Sequence, residues 1–541
     1  MKKNKRVEGG AKGFMSGVLV LSLSTLIVKA IGLAFKIPML SFLGTEGMGY
    51  FNSAYEIYAL LCVISTAGLP VALSILVSAA RAKNSVGEIK RIYRAARSVF
   101  LLLGVGGSVF MLCFARRLAN FIGNPDAYAS IVAIAPALAF VCLASALRGY
   151  CQGFEDMTPT ALSQLIEALS KLGFGVLFAA MAIKNGYGLA EVSAFAVFGI
   201  TLGSFLSLIY LLFAKRSARY TLYDADNTRE EKAQGGVVGK LISIALPITL
   251  GSAVLGLTRI IDMTLIMRRL QDIGVSVSDS NKIYGAYTTL AVPVFSLIPA
   301  LITPVAMALV PQLASYIERG ESEGQRTVIG NAMRLTTIFA MPASFALAAF
   351  ARPVLQLLFF GQDEAIDISA PMLSVLGISV VFSCLITTTN AILQSYRRAS
   401  LPIISMTAGV IVKLLVSYWL IGTESIGALG APIGSLACNM TVTFVNLCFM
   451  KWGIASPLNI KKIFVIPAAV STLSVGAALA VYLFVGNGTW SFLLSVITAF
   501  AVYAVFSWLM KNVTQEDIEL LPFGNKIVKI KNKNKCEGDG G

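Results

Sequence analysis

The stretch Phe14–Leu40, FMSGVLVLSLSTLIVKAIGLAFKIPML, decides how the rest of the chain is read. It is long enough to cross a bilayer, because about 20 apolar residues rising about 1.5 Å each cover the hydrocarbon core. Yet it carries Lys29 near its middle and Lys36 two turns further on. On a helix Ser22, Thr25, Lys29 and Lys36 share one face, while Leu, Ile, Val and Phe cover the others. A lysine at bilayer depth costs roughly 2.5 to 3.5 kcal/mol on insertion scales and is tolerated where it faces other helices or a watery cavity. Lys29 sits too deep to escape and so predicts a cavity. Lys36, beside Pro38, has a second option, which is to snorkel to the headgroups.

Composition fits that reading. Of 541 residues, 56% are hydrophobic and 13% charged, with a mean hydropathy of +0.76, which describes an integral membrane protein. Apolar segments near 14–40, 53–79, 98–115, 128–150, 159–183, 188–214, 239–267, 284–316, 327–350, 367–395, 401–421, 428–450, 463–485 and 489–510 predict about fourteen transmembrane helices. The formal net charge of +16 alternates by loop. With the N-terminus inside, 31 Lys and Arg fall on inner segments and 7 on outer ones, and Lys29, Lys36, Lys171, Arg259, Arg334 and Lys413 lie within spans. This positive-inside bias predicts a multi-pass protein of the cell membrane with both termini cytoplasmic. The basic charge therefore reads as topology and contact with anionic lipid, not as a nucleic-acid surface. The first apolar run is too long for a cleavable signal and is expected to stay as an anchor. Eight cysteines without C-x-x-C spacing read as small packing residues.

Further along, GTEGMGYF (Gly44–Phe51) reads as an outer turn and is followed by a helix carrying Glu56. The AGLP run at Ala67–Pro70 predicts a kink. On the helix opened by Pro159, Gln164, Glu167 and Lys171 share a face, and Glu167 precedes Lys171 by the four residues that favour a mutually neutralising pair. The polar connection Lys215–Lys240 divides the chain. Its GGVVGK lacks the first glycine and the Ser/Thr of a P-loop, and its DADNTR lacks the turn glycine of a calcium loop.

An internal repeat joins the two sides of that connection. Leu69–Ala82 aligns with Thr303–Tyr316 at an offset of 234, and Gln152, Phe154 and Lys171 align with Gln394, Tyr396 and Lys413 at an offset of 242. The chain is thus expected to be all-α, with two pseudo-symmetric six-helix lobes, 1–214 and 239–455, joined by a cytoplasmic linker at 215–238. Two extra helices over 456–511 and a basic cytoplasmic tail at 512–541 would follow. Parallel repeats place a transport site between lobes near the midplane. The symmetry mate of Lys29 should lie in helix 7, where Arg259 stands with Asp262 one turn later.

With no histidine, the commonest general base and metal ligand is missing. The few outer acids are too dispersed for paired-carboxylate glycan chemistry. The residues therefore favour a non-enzymatic transporter, with no cofactor or metal, whose cavity cations Lys29, Lys36 and Arg259, with Asp262 and Glu56, take an anionic ligand such as a phosphate or pyrophosphate. Gln164, Glu167 and Lys171 are secondary candidates.

The lysine-bearing first helix (STLIVKAIGLAFKIP), the AGLPVALSILVS run and RGYCQGFEDMTPTALSQLIEAL resemble the MurJ-like and stage V sporulation protein B branch of the multidrug/oligosaccharidyl-lipid/polysaccharide (MOP) exporter superfamily. That resemblance implies two six-helix lobes, alternating access, and flipping of an undecaprenyl-pyrophosphate-linked peptidoglycan precursor from inner to outer leaflet. The partners it implies are that lipid-linked oligosaccharide, membrane lipids and enzymes of cell-wall synthesis. It also implies that Lys29 matches a basic residue of helix 1, where relatives often have arginine, and that Arg259 and Asp262 match charged residues of helix 7. Export of another lipid-linked polysaccharide, a cation-coupled drug antiporter and a scaffold for cell-wall enzymes are the alternatives.

Overall fold

The computed structural model describes residues 2–83, 85–216, 236–396, 398, 400–453, 460–486 and 488–510. The centre of the linker and the basic tail from 511 onward lie outside them. In lipid every backbone N–H and C=O must be satisfied within the chain, which leaves helices as the economical solution for apolar segments of this length. The described residues are accordingly helical, in the order α1 Lys2–Thr66, α2 Leu69–Ala82, α3 Val86–Phe121, α4 Tyr128–Gly153, α5 Thr158–Lys184, α6 Leu189–Lys215, α7 Val237–Asp272 and α8 Val277–Ala286. After a π-helical turn at Tyr287–Ala291 come α9 Val292–Glu318, α10 Ser322–Ala349, α11 Ala351–Leu358, α12 Asp363–Ser395, α13 Ser400–Ile421, α14 Gly430–Gly453, α15 Ile466–Val485 and α16 Thr489–Leu509.

Thirteen helical segments among the described residues are long and apolar enough to cross a membrane. The first of them, Ile27–Ala82, is broken at Gly44. Each arm is of the length a crossing needs, so the set is compatible with the expected fourteen.

Two local readings change. GTEGMGYF is no loop: helical geometry runs through it except at Gly44, whose φ of 59° and ψ of −173° only glycine adopts without strain. At AGLP the chain breaks instead of kinking. α1 ends at Thr66, and Pro70 sits in the first turn of α2, where its missing N–H costs no hydrogen bond. A side chain at Gly68 would collide with the Ala245 carbonyl and Thr249 of α7, so glycine lets this corner press against that helix.

Packing groups the helices into two compact units, residues 1–290 with 417–431 and residues 291–416 with 432–541. Packing thus divides the chain differently from the internal repeat, since α7 and α8 join the first unit by packing on α1 and α2. Small residues make the first unit tight, as lipid-immersed helices require. A Cβ at Gly49 would overlap Asn281, and one at Gly285 would overlap the Thr45 carbonyl, so α1 and α8 touch backbone to backbone. Their seam is pinned by buried amides. Asn124 donates to Ser53 Oγ at 3.0 Å and to Asn281 Oδ1 at 2.7 Å, and Asn281 donates back to Asn124 Oδ1 at 3.2 Å.

Within the second unit, α10, α12, α15 and α16 pack together, with Phe350, Val475, Ala478 and Phe492 forming an apolar cluster. Several of its interhelical hydrogen bonds join neutral groups. Asn446 donates to Thr389 Oγ1 at 3.0 Å and Asn390 Oδ1 at 2.9 Å and accepts from Ser405 at 2.6 Å. Thr336 and Thr388 share a 2.6 Å bond. None of the described cysteines is joined in a disulfide. Trp419, Trp452, Trp490 and Trp508 are exposed close to helix ends, the positions where indoles favour a membrane interface.

Candidate functional site

The predicted site residues converge inside the first unit. Lys29 and Arg259 are exposed side chains on α1 and α7, and they lie within electrostatic range of one another. Arg259 Nη1 stands 3.7 Å from Glu56 Oε2 on the second arm of α1, and the pair is unequal in exposure, 57% for the arginine side chain and 17% for the glutamate. Buried Asp262 and half-buried Lys36 also contribute to the field at Glu56. The break at Gly44 separates the stretch that holds Lys29 and Lys36 from the one that holds Glu56. One helix with a single unstrained reversal of geometry thereby supplies three of the five principal residues.

Lys36 does not snorkel. Its ammonium donates to the carbonyl oxygen of Thr288 at 2.6 Å, inside the π-helical turn after α8. The other arm of α1 reaches the same turn through Asn52 Nδ2, which donates to Thr289 Oγ1 at 2.9 Å.

The expected Glu167–Lys171 pair gives way to two other partnerships. Arg148, on α4, donates to Glu167 Oε2 at 2.9 Å, to Ser163 Oγ at 2.9 Å and to Ser207 Oγ at 3.0 Å, tying α4, α5 and α6 together. A bidentate-capable guanidinium with two hydroxyl acceptors nearby outcompetes a flexible lysine one turn away. Lys171 points instead into an aromatic cage, with its Nζ 4.8 Å from the Tyr55 ring centre, 4.9 Å from Phe35 and 5.9 Å from Phe51. Ring faces carry negative quadrupole and stabilise a desolvated ammonium by about 2 kcal/mol. Gln164 is partly buried on the same helix. Sequence spacing missed Arg148 as a partner because it lies on another helix. It missed the cage because its rings come from both sides of Gly44. The one available signal was that Phe35 and Tyr55 adjoin Lys36 and Glu56 in sequence.

The arrangement links four cations: Arg259 and Lys36 act on Glu56, Lys29 lies in range of Arg259 and Lys171 in range of Lys36, with Glu167 already engaged by Arg148. Two of the cations are exposed and have donors to spare, a disposition suited to a multiply charged oxyanion. Among the described residues no group of three or more acidic or thiol side chains has metal-holding geometry.

The model of the polysaccharide biosynthesis protein family matches residues 14–317, more than half of the chain and all of the helices that carry this cluster. The chain belongs to that family. The MatE family model matches residues 283–419. Family relatives in Bacillus subtilis (strain 168) include stage V sporulation protein B, 23% identical over 95% of this chain and 99% of that protein. Another is the lipid II flippase MurJ, 24% identical over 75% of this chain and 77% of that protein. Among solved structures, a lipid II flippase MurJ in an inward closed conformation superposes with a TM-score of 0.70 at 14% identity, covering 91% of this chain and 98% of that one. The chain is therefore a multi-pass, all-helical membrane protein of the MurJ-like branch of the MOP exporter superfamily, and its family and fold are those of membrane transporters.

Proposed function

We propose that this protein flips a lipid-linked, pyrophosphate-bearing oligosaccharide, a peptidoglycan precursor of the lipid II type, from the inner to the outer leaflet by alternating access. The observation that carries the reading is that exposed Lys29 and exposed Arg259, on different helices, lie within electrostatic range of one another. Like charges at membrane depth repel and cost insertion energy, so bringing two of them together is sensible only where an anion offsets both. Glu56 holds Arg259 partly neutralised until the pyrophosphate competes for it. Asp262, one turn from Arg259, limits the field of the cluster, and Lys171 adds charge behind the aromatic wall. The flippase MurJ among its relatives supports the substrate class.

A drug antiporter is the weaker reading, because expelled drugs are commonly cationic and would meet net positive charge. In vesicles, the Lys29→Ala protein is expected to insert normally and lose lipid flipping, and Lys29→Arg to keep it. Normal flipping by Lys29→Ala would remove the reading. Depletion in cells should accumulate the lipid-linked precursor in the inner leaflet.

The 31 to 7 split of basic residues supports cytoplasmic termini. In a cysteine-free variant, a cysteine at Glu46 should react with an impermeant reagent added outside and a cysteine at Arg94 should not. The opposite pattern would invert the topology.

A further inference from the structure

The π-helical turn at Tyr287–Ala291 is followed by Pro293. In an α-helix each carbonyl accepts from the amide four residues on, and in π winding from the amide five residues on. In π register the carbonyl of Thr288 is aimed at position 293. Proline has no N–H to give it. A backbone carbonyl without a donor inside lipid costs several kcal/mol, so something else must satisfy it. The Lys36 ammonium does, at 2.6 Å. The Asn52 amide holds the neighbouring Thr289 hydroxyl from the other arm of α1. The same turn is where the chain passes from the first packing unit to the second, between Leu290 and Ala291.

We propose that Lys36 is a latch on this turn rather than a ligand that stays with the transported anion, and that a pyrophosphate group drawn to Lys29 and Arg259 pulls the ammonium off the Thr288 carbonyl. Loss of that donor leaves the Thr288 carbonyl unpaired in π register; rewinding to α register gives it the Val292 amide and moves the place opposite Pro293 to the Thr289 carbonyl, so the winding shifts at the point where one unit ends and the next begins. Binding is thereby converted into a change of backbone winding. Lys36 acts through Thr288 as a positioning residue. The aromatic cage contributes by holding Lys171, whose field acts on Lys36, so that a second ammonium cannot take the carbonyl. The latch stands on backbone chemistry alone, whereas its release by an anion rests on the proposed transport function.

The test uses the full-length protein in phosphatidylcholine nanodiscs and reads amide hydrogen exchange over residues 287–292. Lys36→Met keeps the length of the side chain but cannot donate, and should raise exchange there about tenfold, the scale of one lost charge-assisted hydrogen bond. Adding Pro293→Ala to Lys36→Met restores an amide at position 293 and should return exchange to the parent value. Both variants should reach the membrane, and Lys36→Arg should exchange like the parent. Unchanged exchange in Lys36→Met, or no recovery in the double variant, would overturn the latch.

Inorganic pyrophosphate, used as the probe, should raise exchange in the parent and leave Lys36→Met unaffected. A parent indifferent to pyrophosphate would overturn the release step. In lipid flipping, Lys36→Met should lower the maximal rate with little change in the half-saturating substrate concentration, and Pro293→Ala should recover rate. A raised half-saturating concentration with no recovery would make Lys36 an ordinary ligand. Loosening in Lys36→Met by a parent that flips no lipid would support the latch while ending the transport reading.

Discussion

The two packing units both use neutral amide and hydroxyl pairs between helices, and differ in the charges that the first adds to them. The second unit joins its helices through neutral amides and hydroxyls, as in Asn446 with Thr389, Asn390 and Ser405. The first gathers Lys29, Lys36, Glu56, Lys171 and Arg259. Neutral interhelical hydrogen bonds in membranes average about 0.6 kcal/mol each and serve cohesion. Buried charges cost more than they return unless something transient offsets them. On the proposed function the difference is a division of labour, in which neutral pairs hold both units together and the charges of the first serve a visiting anion. The repeat-related lysines show it within one pair: Lys171 faces three rings, while Lys413 is buried within the second unit.

The comparison breaks most decisively at Arg259. Arg259→Ala should reduce flipping in vesicles by about 100-fold, the scale of a lost charge-assisted contact, with its thermal midpoint nearly unchanged. Lys413→Met should alter the midpoint and change flipping by no more than a few fold. If Lys413→Met abolishes flipping at normal abundance, the division between units is wrong. Next in size, Lys171→Met should slow flipping about tenfold, and Lys171→Arg should retain it because a guanidinium also stacks on aromatic faces. Equal loss in both would assign Lys171 to ammonium-specific packing. The smallest effect belongs to the second unit. Asn446→Ala should destabilise the protein by about 1 to 2 kcal/mol, as expected for a buried amide network losing its centre, and leave flipping per folded molecule intact. A transport defect there without destabilisation would give the neutral network a role beyond cohesion.

Much of this was legible in the sequence because lipid is a severe solvent. The helices had to be apolar, so any charge inside them stood out, and Lys29, Glu56, Arg259 and Asp262 were visible on that ground. Partnerships were less legible. The spacing of Glu167 and Lys171 satisfied the rule for an intrahelical pair, yet Arg148 takes the glutamate at 2.9 Å from another helix. No local rule sees a competitor at that distance in sequence. The acceptor of Lys36 is a backbone carbonyl, which carries no side-chain signature; only Pro293 marked the place. Gly44 looked like part of a loop because glycine-rich segments usually are, whereas here one residue of positive φ interrupts an otherwise helical run.

The placement of the tryptophans decides how this protein can be watched. All four lie from Trp419 onward, exposed close to helix ends, and none is on α1, α5 or α7. Their intrinsic emission will report on the lipid interface and respond to brominated acyl chains. The cationic cluster has no tryptophan among its residues, so an anion arriving at Lys29 and Arg259 would be silent in tryptophan emission. A tryptophan placed at an exposed apolar position of α7, such as Leu257, would give that event a colour of its own.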